Sequence, residues 1–363
     1  MSKIVFVLGA GASVHSGTPL MNNFLEIAQD LLRRGEVEEV KADFENVFEA
    51  VGKLHAAQSK AIIDTYNIED VYAAFEMGKL LGRLPGIEEL DQIDGLISSI
   101  KKVIGFTLEK TMMLPTKAEI NGPVQYDSFV DIINTLLSQK VECSIITFNY
   151  DLGLDYSLYK RKIIPNYGLE DVRIGVKAIP YLKLHGSINW GRCNNNSCRK
   201  VVAYRNFGVT EYQNDLGYSI LPMISKLRKM KCPFCNNELD KDPFIVPPTW
   251  NKTAFHEQID IIWKKAAIEL KDSEQIIIIG YSFPPTDMFF RYLFALGVDL
   301  KTILKGFYVY NPDPEVEGRF RNLLSSGIEQ RFHFYNVSFE NAIGQGPFLM
   351  GTNIETIQSI LNV

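Results

Sequence analysis

The chain has 363 residues, 46% hydrophobic and 22% charged, the balance of a soluble globular protein long enough for a large core and more than one structural unit. Its net charge of −5 leaves no electrostatic footprint for nucleic acid or an anionic membrane, and no apolar run approaches the roughly 18 residues that cross a bilayer. The apolar stretch after Lys3 imitates the centre of a signal peptide, but glycines interrupt it early and it reads better as a first strand. Five cysteines, four of them in two close pairs and the fifth (Cys143) on an apolar run, fit a reducing cytoplasm rather than a disulfide framework.

The first predicted strand is Ile4 to Leu8, which runs into a glycine loop. Thr18-Pro19 marks a helix start, with Leu20, Phe24, Ile27 and Leu31 at helical spacing behind it. From Glu36 to Gln125 amphipathic segments follow one another without a convincing strand: Val37 to Leu54, Ile68 to Leu81 and Leu90 to Lys110. Strands resume at Cys143 to Phe148 and Ile179 to Leu184, before a loop-rich stretch from Cys193 to Cys235. A helix over Phe255 to Leu270, with Ile259, Ile262, Trp263 and Ala266 on one face, feeds the strand Gln275 to Gly280. A last strand, Gly306 to Tyr310, ends at Asn311-Pro312-Asp313-Pro314. This alternation predicts an α/β fold, a Rossmann-like parallel sheet with helices on both faces, a helical insertion and a small cysteine-bearing module. No repeats or low-complexity linkers are visible, and the sheet is expected to run almost to Val363 without a C-terminal sensor domain.

Gly9-Ala10-Gly11-Ala12-Ser13 lies between the first strand and a helix, where glycine permits a tight turn and close approach to a diphosphate at a helix N-terminus. The spacing departs from G-x-G-x-x-G, because the third glycine, Gly17, comes only after Ser13 and His15. No lysine follows in the manner of a P-loop, which argues against ATP hydrolysis. The same residues also suit a strand-to-helix turn that holds no ligand. Asn149 and Asp151 follow the strand Cys143 to Phe148, and His185 follows Ile179 to Leu184, so both strand ends should face the crevice of the glycine loop. Asn can orient a water or a carboxamide, and His can act as a base near neutral pH. Singly, such residues are as much at home as turn formers, caps or structural groups.

Cys193 and Cys198, then Cys232 and Cys235, are separated by 33 residues and supply four thiolates for a closed, structural zinc site. A coincidental set of free thiols is the other reading. The second pair, Cys232-Pro-Phe-Cys235, has the tighter knuckle spacing.

Taken in order, these motifs resemble the sirtuin family: a GAG-x-S loop (Gly9 to Ser13), an Asn-x-Asp strand end (Asn149, Asp151), a His-Gly pair (His185-Gly186), the four cysteines, a Gly-x-Ser strand end (Gly280, Ser282) and a terminal strand ending in Asn (Asn311). The resemblance spans nearly the whole chain. It implies NAD as substrate, with Asn149 and His185 catalytic, and with Gly9, Ala10, Gly11, Ser13, Asp151, Gly280, Ser282 and Asn311 binding the dinucleotide. It also implies a division into an NAD-binding domain (1–35, 126–190 and 246–363), a helical insertion (36–125) and a zinc-binding module (191–245). The departures point to one branch. Gly17-Thr18-Pro19-Leu20-Met21-Asn22 lacks the Phe-Arg of protein-deacylating sirtuins, and Val246-Pro247-Pro248-Thr249-Trp250-Asn251-Lys252 stands where their peptide-binding segment would be. Phe148-Asn149-Tyr150-Asp151, Asn67-Ile68-Glu69-Asp70-Val71 and Gly280-Tyr281-Ser282 look like the bacterial sirtuin-like proteins of antiphage defence, in which NAD is hydrolysed without a protein substrate.

The resulting expectation is NAD glycohydrolysis to nicotinamide and ADP-ribose. The alternatives are a lysine deacylase and a non-catalytic NAD or ADP-ribose sensor. Because such a hydrolase must be held off in a healthy cell, control by homo-oligomerisation or by a partner chain such as an ATPase is expected.

Overall fold

The structure, a computed structural model, describes residues 2–57, 61–114, 122–169, 177–207, 212–213, 218–220, 222–246, 256–284, 287–297 and 302–344. In chain order β1 (Lys3–Leu8) passes through two 3₁₀ turns (Ala10–Ala12, Val14–Ser16) to four helices, α1 (Phe24–Arg33), α2 (Lys41–Ala56), α3 (Ile68–Leu81) and α4 (Leu90–Thr111). Next come α5 (Val124–Ser138), β2 (Glu142–Thr147), α6 (Gly153–Lys160), β3 (Ile164–Asn166) and β4 (Ala178–Lys183). Short elements follow: β5 (Trp190–Arg192), β6 (Val201–Ala203), β7 (Tyr212–Gln213), β8 (Ser219–Ile220) and α7 (Met223–Arg228). The last described elements are α8 (His256–Lys271), β9 (Gln275–Ile279), α9 (Met288–Leu296), β10 (Gly306–Tyr310), α10 (Glu315–Arg321), β11 (Phe332–Tyr335) and α11 (Phe339–Gly344), and the expected run of the sheet to Val363 lies, from 345 on, outside the described residues. Its packing divides into two units: residues 1–16, 114–184 and 259–363, and residues 17–113 and 185–258.

The first unit is built on a seven-stranded sheet of order β11-β10-β9-β1-β2-β4-β3, every pair parallel. Parallel strands are covered on both faces and therefore read as unbroken apolar runs. Ile4 to Leu8 of β1 and Ile276 to Ile279 of β9 are such runs, and all are buried. From β1 the chain passes to β2, then to the edge strand β3 and back inward to β4, before it crosses to β9 on the other side of β1 and moves outward through β10 and β11. β1 is thus where the strand order reverses, and the crevice beyond the carboxyl ends at such a point is where open α/β sheets take ligands.

The second unit holds α1 to α4 and the cysteine-bearing segment. α3 is delimited by local chemistry: Asn67 Oδ1 accepts the Glu69 N–H at 2.9 Å, and Gly82 closes the helix at φ 72°. It packs on α4; α3 buries a stripe of Ile68, Val71, Tyr72 and Phe75, and α4 buries Ile93, Leu96, Ile100 and Val103.

The predicted strands, and the helices expected at Ile68 to Leu81 and Leu90 to Lys110, recur within a residue; the segment expected from Val37 is a 3₁₀ turn before α2 starts at Lys41, and Phe255, the expected start of α8, lies outside the described residues. Three further local readings change. The helix expected from Thr18-Pro19 begins only at Phe24, because Gly17 is left-handed (φ 83°) and Pro19 disfavours helical backbone at Thr18. Gly306 to Tyr310 is not the last strand, since β11 adds to the edge beyond it. α5 and β3 were not anticipated; β3 contains Pro165, a residue confined to edges, and it is the edge strand. Among the described residues no helix is long and apolar enough to cross a membrane.

Candidate functional site

At the carboxyl edge of β1 and β9, glycine allows two loops to touch backbone to backbone. The Gly9 N–H donates to the Ile279 carbonyl (3.0 Å) and the Gly11 N–H to the Gly280 carbonyl (2.9 Å). A Cβ on Gly9 would fall 2.5 Å from Tyr281 Cα, one on Gly11 2.8 Å from Gly280 O, and one on Gly280 2.3 Å from the Ala12 nitrogen. Gly280 is also left-handed at φ 61°. The Ala12 and Ser13 amides turn back onto the Gly9 and Ala10 carbonyls, at 2.9 Å each. The Ala10 N–H is the loop amide outside these bonds.

Asn149, at the end of β2, is tied to this loop. Its Nδ2 donates to the Gly9 carbonyl (2.9 Å) and to Ser13 Oγ (3.0 Å), while its own N–H donates to Thr147 Oγ1 (3.1 Å). A carbonyl can only accept, so the Gly9 contact fixes which end of the amide is NH2. Ser13 Oγ in turn lies 2.6 Å from the Tyr126 hydroxyl of α5. Tyr126 is enclosed by the rings of His15 (4.8 Å between centroids) and Phe339 of α11 (5.3 Å). Burial holds the His15 imidazole down to about 4, so it is neutral at pH 7.

Asp151 is buried; its Oδ1 accepts the Gly153 N–H at the start of α6 (2.9 Å). Burial raises its carboxyl above the ordinary range, with the Lys183 charge opposing. Lys183, on β4, donates from Nζ to the Asp151 backbone carbonyl (2.6 Å) and pairs with Asp155 Oδ2 (3.0 Å); neither side chain of that pair is exposed at all (0%). The Tyr167 hydroxyl also bonds Asp155. Sequence reasoning missed Tyr126, Asp155 and Lys183. An aromatic on an amphipathic helix reads as core, but a lysine flanked by Leu182 and Leu184 in a buried strand was a visible signal.

The later strand ends serve the same edge. Tyr281 lies flat on Phe148, with centroids 4.3 Å apart and planes at 5°, and its hydroxyl donates to Asp287 (2.9 Å). Asn311 is committed to backbone: Nδ2 donates to the Tyr281 carbonyl (3.4 Å) and Oδ1 accepts from the Asp313 N–H (2.9 Å). The Ser282 carbonyl accepts from Arg319 (3.2 Å). The first unit therefore brings together Gly9, Ala10, Gly11, Ser13, Asn149, Asp151, Gly280, Ser282 and Asn311 at one edge of one sheet.

His185 is the first residue of the second unit and only 1% exposed. On β2 and β4, Asn149 and His185 each stand two residues past the paired Thr147 and Lys183. The His185 carbonyl accepts the Val246 N–H (2.9 Å). Gly186 is left-handed (φ 82°), and a Cβ there would meet the Phe244 carbonyl oxygen at 2.1 Å, which accounts for the glycine after the histidine. The expected substitute for a peptide-binding segment, 247–252, lies outside the described residues. A cleft of about 450 Å³ lined by Asp43, Glu49, Lys53, Ser99 and Lys102 lies elsewhere in this unit and contains none of the candidate residues.

The four paired cysteines converge. Their sulfurs all lie within 4.8 Å of one another, with Cys193 to Cys235 at 3.4 Å and Cys198 to Cys232 at 3.8 Å. A tetrahedral zinc with Zn–S bonds of about 2.3 Å needs S···S edges of about 3.8 Å, so the set fits. Two tight turns present them: the Cys198 N–H donates to Asn195 O (2.9 Å) and the Cys232 N–H to Asn237 O (2.8 Å). The fifth cysteine, Cys143, is buried in β2 with its thiol pushed up to about 12 by burial, which leaves it protonated and inert.

No family model matches the chain, and no curated protein matches it. Among solved structures it is similar to a mutant Sir2 homologue in complex with ADP-ribose, at 13% identity over 99% of this chain and 94% of that one, with a TM-score of 0.45. It is also similar to a Sir2 homologue–NAD complex (12% identity, 99% and 90% covered, TM-score 0.43) and to Sir2 bound to an acetylated peptide (13%, 94% and 90%, TM-score 0.37).

Proposed function

We propose that this protein cleaves NAD at its nicotinamide glycosidic bond, releasing nicotinamide and ADP-ribose. The observation that carries this reading is the Asn149 amide, anchored through Gly9 and Ser13 at the carboxyl edge where the strand order reverses. With its NH2 end committed to the loop, the Asn149 Oδ1 is the end left to accept from a ribose hydroxyl or an attacking water. The nicotinamide is already a good leaving group, so the enzyme's task is to hold the ribose, stabilise an oxocarbenium-like state and deliver water. His185 accepts the proton, directly or through a ribose hydroxyl. The Ala10 N–H meets the diphosphate, Asp151 positions nicotinamide, and Gly280, Ser282 and Asn311 serve the adenosine side.

Zinc, held by Cys193, Cys198, Cys232 and Cys235, would staple the second unit and take no part in the reaction, since four thiolates leave no open position. The same cluster favours the second reading, a lysine deacylase in which an acyl oxygen replaces water. The missing Phe-Arg after Pro19 weighs against it. We assign the activity to antiphage defence in the cytoplasm, restrained by self-association or a partner chain, on the strength of the sequence resemblance.

Loss of either catalytic side chain is expected to lower turnover by about a hundredfold to ten-thousandfold. Purified Asn149→Ala and His185→Ala proteins, checked for folding, should leave NAD nearly intact. Normal cleavage by either would remove that residue from the mechanism.

A further inference from the structure

Residues 148–152 join β2 to α6, and Asn149 and Asp151 both lie in this short span. Nothing in a loop of this kind fixes its course unless its ends and its free backbone groups are tied. One end is set at Thr147, which pairs in register with Lys183 and accepts the Leu184 N–H at 2.9 Å. The other end is the first turn of α6, where the Asp155 carboxylate meets Lys183 Nζ at 3.0 Å. Between them, the same Nζ donates to the Asp151 carbonyl at 2.6 Å. The Leu184 N–H therefore holds the end where the segment leaves the sheet, while the Lys183 ammonium holds both its middle, at Asp151, and the end where it enters the helix.

A buried ion pair is weak evidence for stability, because well-packed neutral groups of similar volume often serve as well. Neutral packing cannot, however, grip a mid-loop carbonyl. Asp155 also stands in the first turn of α6, where a negative charge suits the helix dipole and the Tyr167 hydroxyl adds a bond.

We infer that Lys183 is a positioning residue for the reaction proposed above: its ammonium clamps the Asp151 backbone and the first turn of α6, and so fixes the Asn149 amide at the sheet edge. This rests on the NAD-cleaving reading only for its kinetic consequence; the clamp itself is a statement about the segment.

The test is the full chain carrying Lys183→Met with Asp155→Asn, which removes both buried charges and keeps a partner for Tyr167. Its thermal midpoint should stay within about 5 °C of the wild type. Its kcat for NAD should fall about ten- to a hundredfold, since a misplacement near 1 Å costs about that much, while KM moves less than about threefold. Amide hydrogen exchange in residues 148–153 should speed up by about tenfold or more, with β1 and β9 unchanged. A folded double variant with wild-type kcat and wild-type exchange in that segment would overturn the inference. If the wild type cleaves no NAD, the functional reading fails, and the exchange arm alone then decides: acceleration confined to 148–153 supports the clamp, and none refutes it. If the double variant does not fold, Asp155→Asn alone is read by the same two criteria.

Discussion

At the carboxyl edge of the sheet, residues remote in sequence are locked by backbone contact and buried polar bonds. In the cysteine segment, order comes from two local turns whose sulfurs converge on a common point. Gly9 and Gly11 meet Gly280 so closely that no methyl group fits, and Asn149 reaches back to the same loop. The cysteine turns are held by short-range bonds such as Cys232 to Asn237, and they share only a small core with Val202, Leu227 and Leu239. The first region tolerates no change of shape and needs no ion to form. The second is small, and under the proposed zinc reading its stability would come from the metal its four thiolates hold. Precision and stability are thus supplied by different chemistry in the two units.

That contrast can be broken from either side. The largest effect is expected from the metal. Cys232→Ser should take bound zinc from one per chain to none by elemental analysis, and unfold the segment around it, since structural zinc in small modules carries on the order of 10 kcal/mol of apparent binding energy. A variant that keeps its fold and its protection from exchange would mean that the thiols are not a zinc site.

Gly280→Ala comes next. It sets a Cβ 2.3 Å from the Ala12 nitrogen and forces a side chain onto φ 61°, so it should cost about 3 kcal/mol or more in chemical denaturation. A loss under about 0.5 kcal/mol would show that the two loops are not locked as described.

Glu109 sharpens the comparison through pH. It lies in the second unit, on α4, where it accepts the Ile224 N–H of α7 at 2.9 Å, and burial raises its carboxyl to about 7. A raised carboxyl means the folded chain holds the proton more tightly than the unfolded one. The stability it brings is therefore complete below about pH 4.5 and lost as pH climbs through about 7, by about 3 kcal/mol at most. Glu109→Gln should flatten that slope in denaturation curves between pH 4.5 and 7.5. An unchanged slope would place the titration elsewhere.

The smallest effect is Tyr126→Phe, which removes the 2.6 Å contact to Ser13 and should cost about 1 kcal/mol of stability. If Ser13 is what steadies Asn149, kcat should fall several-fold with KM nearly constant; a pure KM effect would assign Tyr126 to binding alone.

What could be read from the amino acids follows the same divide. The central strands announce themselves because a parallel strand buried on both faces must be apolar throughout, as Ile276 to Ile279 are. The cysteine cluster was legible because ligand spacing is local. β11 was not, since Phe332 is buried while His333 is exposed and the run is short. The partners of the candidate site were hidden for a different reason. Gly9 suggested a phosphate turn; that its missing side chain also makes room for Tyr281 was hidden, because no local pattern reports a contact across the whole chain. Lys183 broke the apolar pattern of β4 and marked itself, but only the fold reveals that it holds Asp151 and Asp155.

The most direct test of the account is NAD consumption by the purified protein, with and without an acetyl-lysine peptide, read by mass spectrometry. Nicotinamide and ADP-ribose are expected to form without peptide, and to be lost in Asn149→Ala. O-acetyl-ADP-ribose formed only when peptide is present would contradict it and make the chain a deacylase.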